Sequence, residues 1–418
     1  MSFKEIFEDY KDCMEPGVLL PNINISSKEY ERLDVSKDID NFEFLKSLCR
    51  KGIKDYDINK KENKQVYYDR AKEELNILNE LGFVDYILLN WDILEFCHRN
   101  EIPTGPGRGS AAGSLVLYLI GVTKIDPVEN DLFFERFVSK SRARKIEKRG
   151  KTYLDGSLLA DIDNDIAYEH RPKVIEYIEK KHPGRTAKIL TLNTLSGKLC
   201  MKECIKIVGD LDESEASRVS DMIPKQFGKV LPLCQAYEES EDFKKWADEN
   251  EEIFSVAKGI ESLNKNTGVH PSGIAISRSK ISDICPTQKN SDGVLITGYD
   301  MNWVAELMVK FDILGLRTLS VIDDTCKLIG IKAEEIDMHS EDVYLPLQEL
   351  NSPHGLFQIE AETDFKVCKK IKPKNIEELS AVLAIARPGA LEFLPNYERY
   401  VQTGSFQSIH PFFDEVLG

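Results

Sequence analysis

The chain has 418 residues, 42% hydrophobic and 30% charged, with a formal net charge of −16. That length suggests two or three domains, and the absence of an apolar run of about 18 residues excludes a helical membrane span. Nine irregularly spaced cysteines and seven scattered histidines argue against a disulfide framework or a zinc-finger pattern.

In chain order, residues 1 to about 65 read as an irregular, turn-rich lead-in around one helix near "DNFEFLKSLCRKGI". Ala71, Leu75, Leu78 and Leu81 recur at helical spacing, with Gly82 as a stop. A second apolar helix, "YILLNWDILEFCHRN", leads into "TGPGRGSAAGSLVLYLIG", whose part from Gly113 to Gly121 reads as a buried helix. "KSRARKIEKRGK", residues 140–151, is a basic island with one acid, Glu147. It is either a solvated loop or a phosphate-contacting patch, the latter against an overall charge unfavourable for nucleic acid. "ADIDNDI" is a strand or a turn, "RPKVIEYIEKKHPG" a short helix and "TAKILTL" a buried strand. From about 193 to 267 the pattern is helical and charged, interrupted at "IPKQFGKVLP"; Cys200 and Cys204 are ordinary residues one helical turn apart. Strand-like runs return at "SGIAIS", "GVLITGYD" and "LMVKFDILGL", and the remainder from about 318 is mostly helical. The order describes an α+β sheet interrupted by helices, not a βαβ array.

Two stretches carry chemistry. Gly105, Gly107, Gly109 and Gly113 let backbone approach a ligand, and a helix starting just after Gly109 would aim its positive end there, as in phosphate binding. Ser110 and Ser114 would add hydroxyls, and Arg108 a fixed charge. Tight packing of small residues is the competing reading, and a GxGxxA match is a weak third because no apolar strand precedes it. Asp161, Asp163 and Asp165 alternate, so on a strand they share a face. Gathered carboxylates repel, and a divalent cation such as Mg²⁺ is the natural reason to gather them; a solvated acidic turn is the alternative. Asp312, on a short apolar strand with Lys310 two residues before it, could supply a third carboxylate, with Lys310 facing either phosphate or Asp312 itself.

In order, "GPGRGSAAGSLVLYLIGVTKIDPVENDLFFERF", "ADIDNDI", "RPKVIEYIEKKHPGRTAKILTLNT", "HPSGIAIS", "KFDILGLRTL" and "ARPGAL" resemble the C-family of bacterial replicative DNA polymerases, the polymerase III alpha subunits. The resemblance implies a polymerase-beta-like nucleotidyltransferase palm with a helical thumb insert and helical partial fingers. Lead-in and first palm part would span 1–192, the thumb 193–267, the second palm part 268–317 and the fingers 318–418. It implies that Asp161, Asp163 and Asp312 are catalytic and hold two Mg²⁺ ions. Arg108, Gly109, Ser110, Arg136, Lys310 and Arg387 would bind the nucleotide. It also favours DNA contact by the basic island through Arg142, Arg144, Lys145, Lys148 and Arg149. The implied activity is template-directed addition of dNTPs to a primer 3′-hydroxyl; a non-catalytic primer–template-binding protein with the same fold is the alternative.

Ala160 replaces a usual Pro, Asn164 an apolar residue, and "HPSG" and "RPGA" stand for "HAGG" and "RPGP". By the resemblance, the sequence is expected to lack the family's N-terminal metal domain and to stop inside the fingers, as a fragment or as one piece of a split polymerase. A second polypeptide supplying the remaining fingers and C-terminal domains is therefore an expected partner. The expected compartment is the cytoplasm, a host's if the chain is viral, because the N-terminus lacks a signal-peptide pattern.

Overall fold

In the computed structural model, which describes residues 16–140, 145–148, 150–156, 159–226, 229–405 and 411, the strand-like runs assemble into one mixed six-stranded sheet and two small hairpins. The strands are β1 (Lys145–Lys148), β2 (Lys151–Leu154), β3 (Asp163–Ala167), β4 (Thr186–Thr194), β5 (Lys225–Gln226), β6 (Lys229–Val230), β7 (Asn264–Ile276), β8 (Thr287–Lys289), β9 (Leu295–Asp300) and β10 (Val309–Leu316). The large sheet runs β3-β10-β7-β4-β9-β8. β3 lies parallel to β10 and β4 to β9, whereas β10–β7 and β8–β9 are antiparallel. The α+β reading holds.

The chain divides into two compact units, Met1–Leu192 with Thr267–Asp324, and Asn193–Asn266 with Thr325–Gly418. In the first, the helices Asn41–Asp55, Lys64–Glu80 and Val84–Arg99 build the main core with one face of the sheet. Alternation decides that face: Phe311 and Ile313 of β10 and Ile166 of β3 point into it, where Phe311 meets Tyr86 with ring centroids 5.6 Å apart. The lead-in has the expected helix, Asn41–Asp55, but it is also part of this core, which the sequence reading did not anticipate. Val18, Leu20, Phe44, Leu45 and Leu48 are buried in it, and Ser27–Leu33 forms a further helix.

Of the basic island, the described residues Lys145–Lys148 and Lys151 belong to a hairpin. β1 and β2 pair antiparallel, and Leu154 exchanges two backbone hydrogen bonds of 2.8 Å with Val18, tying the hairpin to the core. Arg142, Arg144 and Arg149 lie outside the described residues.

In the second unit, the helices Gly197–Ile207, Glu213–Met222, Leu233–Glu239, Glu241–Glu249 and Glu251–Ile260 close around Met201, Phe243, Trp246 and Phe254. Cys200 and Cys204 are buried, unbridged residues of the first of these helices, and the break at "IPKQFGKVLP" contains the β5–β6 hairpin. The helices Glu362–Ile371, Ile376–Ile385 and Leu394–Thr403 have their own small core of Val367, Cys368, Ile371, Val382 and Leu394. No described helix is long and apolar enough to cross a membrane.

Candidate active site

The acids come together because two strands pair in one register. Asp163 of β3 is the neighbour of Asp312 in β10, and Asp165 of Leu314. Neighbours on adjoining parallel strands are about 4.8 Å apart and point to the same side, so Asp163, Asp165 and Asp312 share the face away from the main core. Asp161 lies just before β3 and is exposed, Asp163 is half-buried, and Asp165 and Asp312 are buried.

Two cations answer this charge. Lys310 Nζ lies 2.6 Å from Asp312 Oδ2, so of its two sequence readings the ion pair is realised. Arg108 spans two acids, with Nε 3.6 Å from Asp163 Oδ2 and Nη1 3.5 Å from Asp165 Oδ1. Burial raises the Asp163 carboxyl above its usual range, and the charges of Asp312 and Asp161 add to this while Arg108 and Lys310 oppose it. Burial also raises Asp165, again against Arg108. For Lys310, burial pulls the ammonium down, but the Asp312 hydrogen bond and the charges of Asp312, Asp161 and Asp163 outweigh it and hold it above the ordinary lysine range. Among the described residues no group of three Asp, Glu, His or Cys side chains is gathered at metal-coordinating geometry.

Asp312 has a second partner that the sequence reading missed. Ser272 of β7 is buried and donates from Oγ to Asp312 Oδ1 at 3.1 Å. This stretch of β7 is set by His270, whose Nδ1 accepts from the Gly273 N–H at 2.7 Å and the Ser272 N–H at 3.3 Å. Burial lowers the His270 pKa, so the neutral ring is favoured, with its proton on Nε2. The only forewarning was the serine of "HPSG".

Behind the acids, buried polar side chains hold the strand from the core side. Tyr86 donates to the Ala160 carbonyl at 2.9 Å, and Asn164 Nδ2 to Asn90 Oδ1 at 3.0 Å. Asn90 in turn donates to the Tyr86 carbonyl. Asn164, unusual by the resemblance, thus has a matching amide on the neighbouring helix.

The glycine turn is stitched to the same strand. Gly105 N–H donates to the Asp165 carbonyl at 2.9 Å, and Thr104 bridges to Ile166. Gly105, Gly107 and Gly113 are small because something is close: added Cβ atoms would come within 2.8 Å of Asp165 Cβ, 2.9 Å of Thr123 Cγ2 and 2.5 Å of the Phe133 carbonyl oxygen. Gly107 and Gly109 both have positive φ, +102° and +64°, but only Gly109 has open space above its Cα. The packing reading therefore accounts for three of these positions, and Gly109 alone among them leaves backbone open to a ligand. Ser110 is half-buried beside it, in the 3₁₀ turn Gly109–Gly113.

The expected α-helix after Gly109 starts later, at Leu115, and spans Leu115–Leu119. Its N-terminus is already occupied by Glu74, which accepts from Ser114 Oγ at 2.9 Å and from the Leu115 and Val116 N–H groups at 3.0 Å. Arg70 pairs with Glu74 at 2.9 Å and donates onward to the Gly113 and Leu132 carbonyls. Ser114 is fully buried in this network and unavailable to a phosphate, contrary to the sequence reading. An anion would meet the turn around Gly109, not the helix.

Arg136 is exposed in the 3₁₀ turn Phe134–Arg136, which adjoins the Gly109–Gly113 turn. Lys145 and Lys148 stand on β1, where Lys145 lies 3.7 Å from Glu147. Arg387 belongs to the second unit, exposed just after the Ile376–Ile385 helix.

The family model described as the bacterial DNA polymerase III alpha NTPase domain matches residues 43–315, which include the whole acid-and-glycine cluster. The chain belongs to the bacterial DNA polymerase III alpha family. The finger-domain model of the same subunit matches residues 318–418. The DNA polymerase III subunit alpha of Bacillus subtilis (strain 168) is 31% identical over 364 residues, covering 84% of this chain and 31% of that protein. That of Staphylococcus aureus (strain MRSA252) is 33% identical over 367 residues, covering 85% and 33%. That of Deinococcus radiodurans is 32% identical over 346 residues, covering 79% and 25%. The chain thus spans about a third or less of the length of these polymerase III alpha relatives.

Proposed function

We propose that the chain is the catalytic core of a template-directed DNA polymerase, joining a dNTP to a primer 3′-hydroxyl with release of pyrophosphate. The observation that carries this reading is the register that makes Asp163 and Asp312 neighbours beside a glycine turn bearing Arg108. The sheet would be a palm of the polymerase-beta type in two parts, 1–192 and 268–317. The helices of 193–267 would be its thumb, and 318–418 part of its fingers.

The donor set suits a hard divalent cation: oxygen ligands only, on adjoining strand positions, with Asp161 two residues upstream. Asp161, Asp163 and Asp312 would hold two Mg²⁺ ions. Bound there, the ions would lower the charge barrier between the attacking oxygen and the triphosphate. The protein's own groups do the rest. The open backbone at Gly109, the Ser110 hydroxyl and the side chains of Arg108 and Arg136 receive the phosphates. Lys310 and Ser272 fix the two oxygens of Asp312, which faces the primer hydroxyl. Catalysis of this kind is positioning and charge neutralisation. Lys145 and Lys148 present positive charge to primer–template phosphate. A second polypeptide carrying what the longer relatives have beyond the matched third is the proposed partner.

Single-nucleotide primer extension, with and without that second polypeptide, tests the reading. Wild type extends in at least one arm, and Asp312→Asn loses about 10³-fold, the several kcal/mol a metal-binding carboxylate supplies. Primer–template binding without extension in either arm would support the non-catalytic alternative.

A further inference from the structure

We propose that Asp165, the last acid of "DIDND", is a positioning residue that tethers Arg108 beside the open end of the glycine turn. The inference deepens the polymerase reading and rests on it. Asp165 is set apart from the other acids by its neighbours. Across the register it faces Leu314, so β10 gives it no cation of the kind Lys310 gives Asp312. It is 7% exposed, and its Oδ1 receives no hydrogen bond, although Arg108 Nη1 lies 3.5 Å away. A buried carboxylate oxygen in that state is costly unless a cation approaches it, and Arg108 is within a few tenths of an ångström of doing so.

The backbone makes acid and turn one piece. The Asp165 carbonyl accepts from Gly105 N–H, and the bare Cα of Gly105 sits against the Asp165 side chain. Arg108 follows three residues later and also reaches Asp163. In the polymerase reading Asp163 is taken up by metal, which removes it as a partner for the guanidinium. Asp165 then keeps Arg108 in place while the free edge of its guanidinium turns to phosphate.

The test is a double-mutant cycle on the full chain, titrated with dATP and Mg²⁺ by calorimetry without primer. Arg108→Ala and Asp165→Asn should each weaken nucleotide binding about tenfold, a lost charge-assisted contact. Asp165→Asn should add nothing in the Arg108→Ala background. The Arg108 side-chain Nε–H resonance should shift in Asp165→Asn, a change that a merely structural role for Asp165 would not require. Asp165→Ser, expected to behave like Asp165→Asn, replaces it if the asparagine variant unfolds. Should Arg108→Ala weaken binding while Asp165→Asn does not, or should the two losses add fully, the tether is wrong and the polymerase reading stands. Should Arg108→Ala itself bind nucleotide as wild type does, the nucleotide role of Arg108 and the tether both fall.

Discussion

Two buried acids hold the glycine turn from opposite ends, and they are built differently. Glu74 accepts four hydrogen bonds, from Arg70, Ser114, Leu115 and Val116, and leaves no oxygen unanswered. Burial raises its pKa, and the same N–H groups and Arg70 oppose that rise. Asp165 has one oxygen without a hydrogen bond, and Asp163 meets Arg108 only at 3.6 Å. A carboxylate with two donors on each oxygen, as Glu74 has, is scaffold, because nothing can be added to it without breaking something. An under-answered one keeps capacity for a ligand, at a cost the fold carries.

The comparison predicts opposite signatures. The largest effect is on rate: Asp163→Asn should cut primer extension about 10³-fold. Its melting temperature should stay level or rise, since one of several repelling charges is gone. Loss of folding alongside activity would place Asp163 with Glu74. Next comes stability: Glu74→Ala leaves the Ser114 hydroxyl and two N–H groups buried without their partner and takes the carboxylate from Arg70, at about 3–5 kcal/mol. A thermal scan should show a drop of roughly 10 °C for a body of this size; an unchanged melting point would contradict the scaffold role.

Ser272→Ala sharpens the contrast within the site. Losing a hydrogen bond to a charged group should lower kcat about tenfold with little change in KM for the dNTP, and Ser272→Thr should recover most of it. A KM effect instead would mean that Ser272 serves the nucleotide and not Asp312.

The smallest effect concerns His182, which is buried with no hydrogen bond to Nδ1. Burial, aided by the positive charges of Arg185 and Lys181, lowers its pKa to about 4. A histidine held below its unfolded value of about 6.5 stabilises the fold fully above that pH, and the contribution is lost as pH falls from about 6.5 towards 4. Urea midpoints at pH 7 and pH 5 should therefore differ more for wild type than for His182→Gln. Equal differences would mean that His182 does not titrate with unfolding.

What the sequence disclosed follows from the range of the interactions concerned. The alternating acids and the Lys310–Asp312 spacing are local patterns, and one strand register turned them into a cluster. The Lys64–Glu80 helix and the helices from 197 to 260 were likewise legible from periodicity. The start of the Leu115–Leu119 helix was not, because the group that caps it, Glu74, is about forty residues upstream and reads locally as one more helix-surface acid. The short strand β8 and the burial of the lead-in depend on distant partners in the same way. The glycines were ambiguous for a different reason: close approach and ligand exposure both demand a missing side chain, and only the surroundings of Gly109 and Gly113 tell them apart.

Manganese binding measured by electron paramagnetic resonance in the presence of dATP tests the central claim most directly, since it asks nothing of turnover. Wild type should bind the ion, and Asp163→Asn and Asp312→Asn should each weaken it at least tenfold, on the order of one lost carboxylate ligand. If both variants bind manganese as wild type does, the paired strands are not a metal-holding active site.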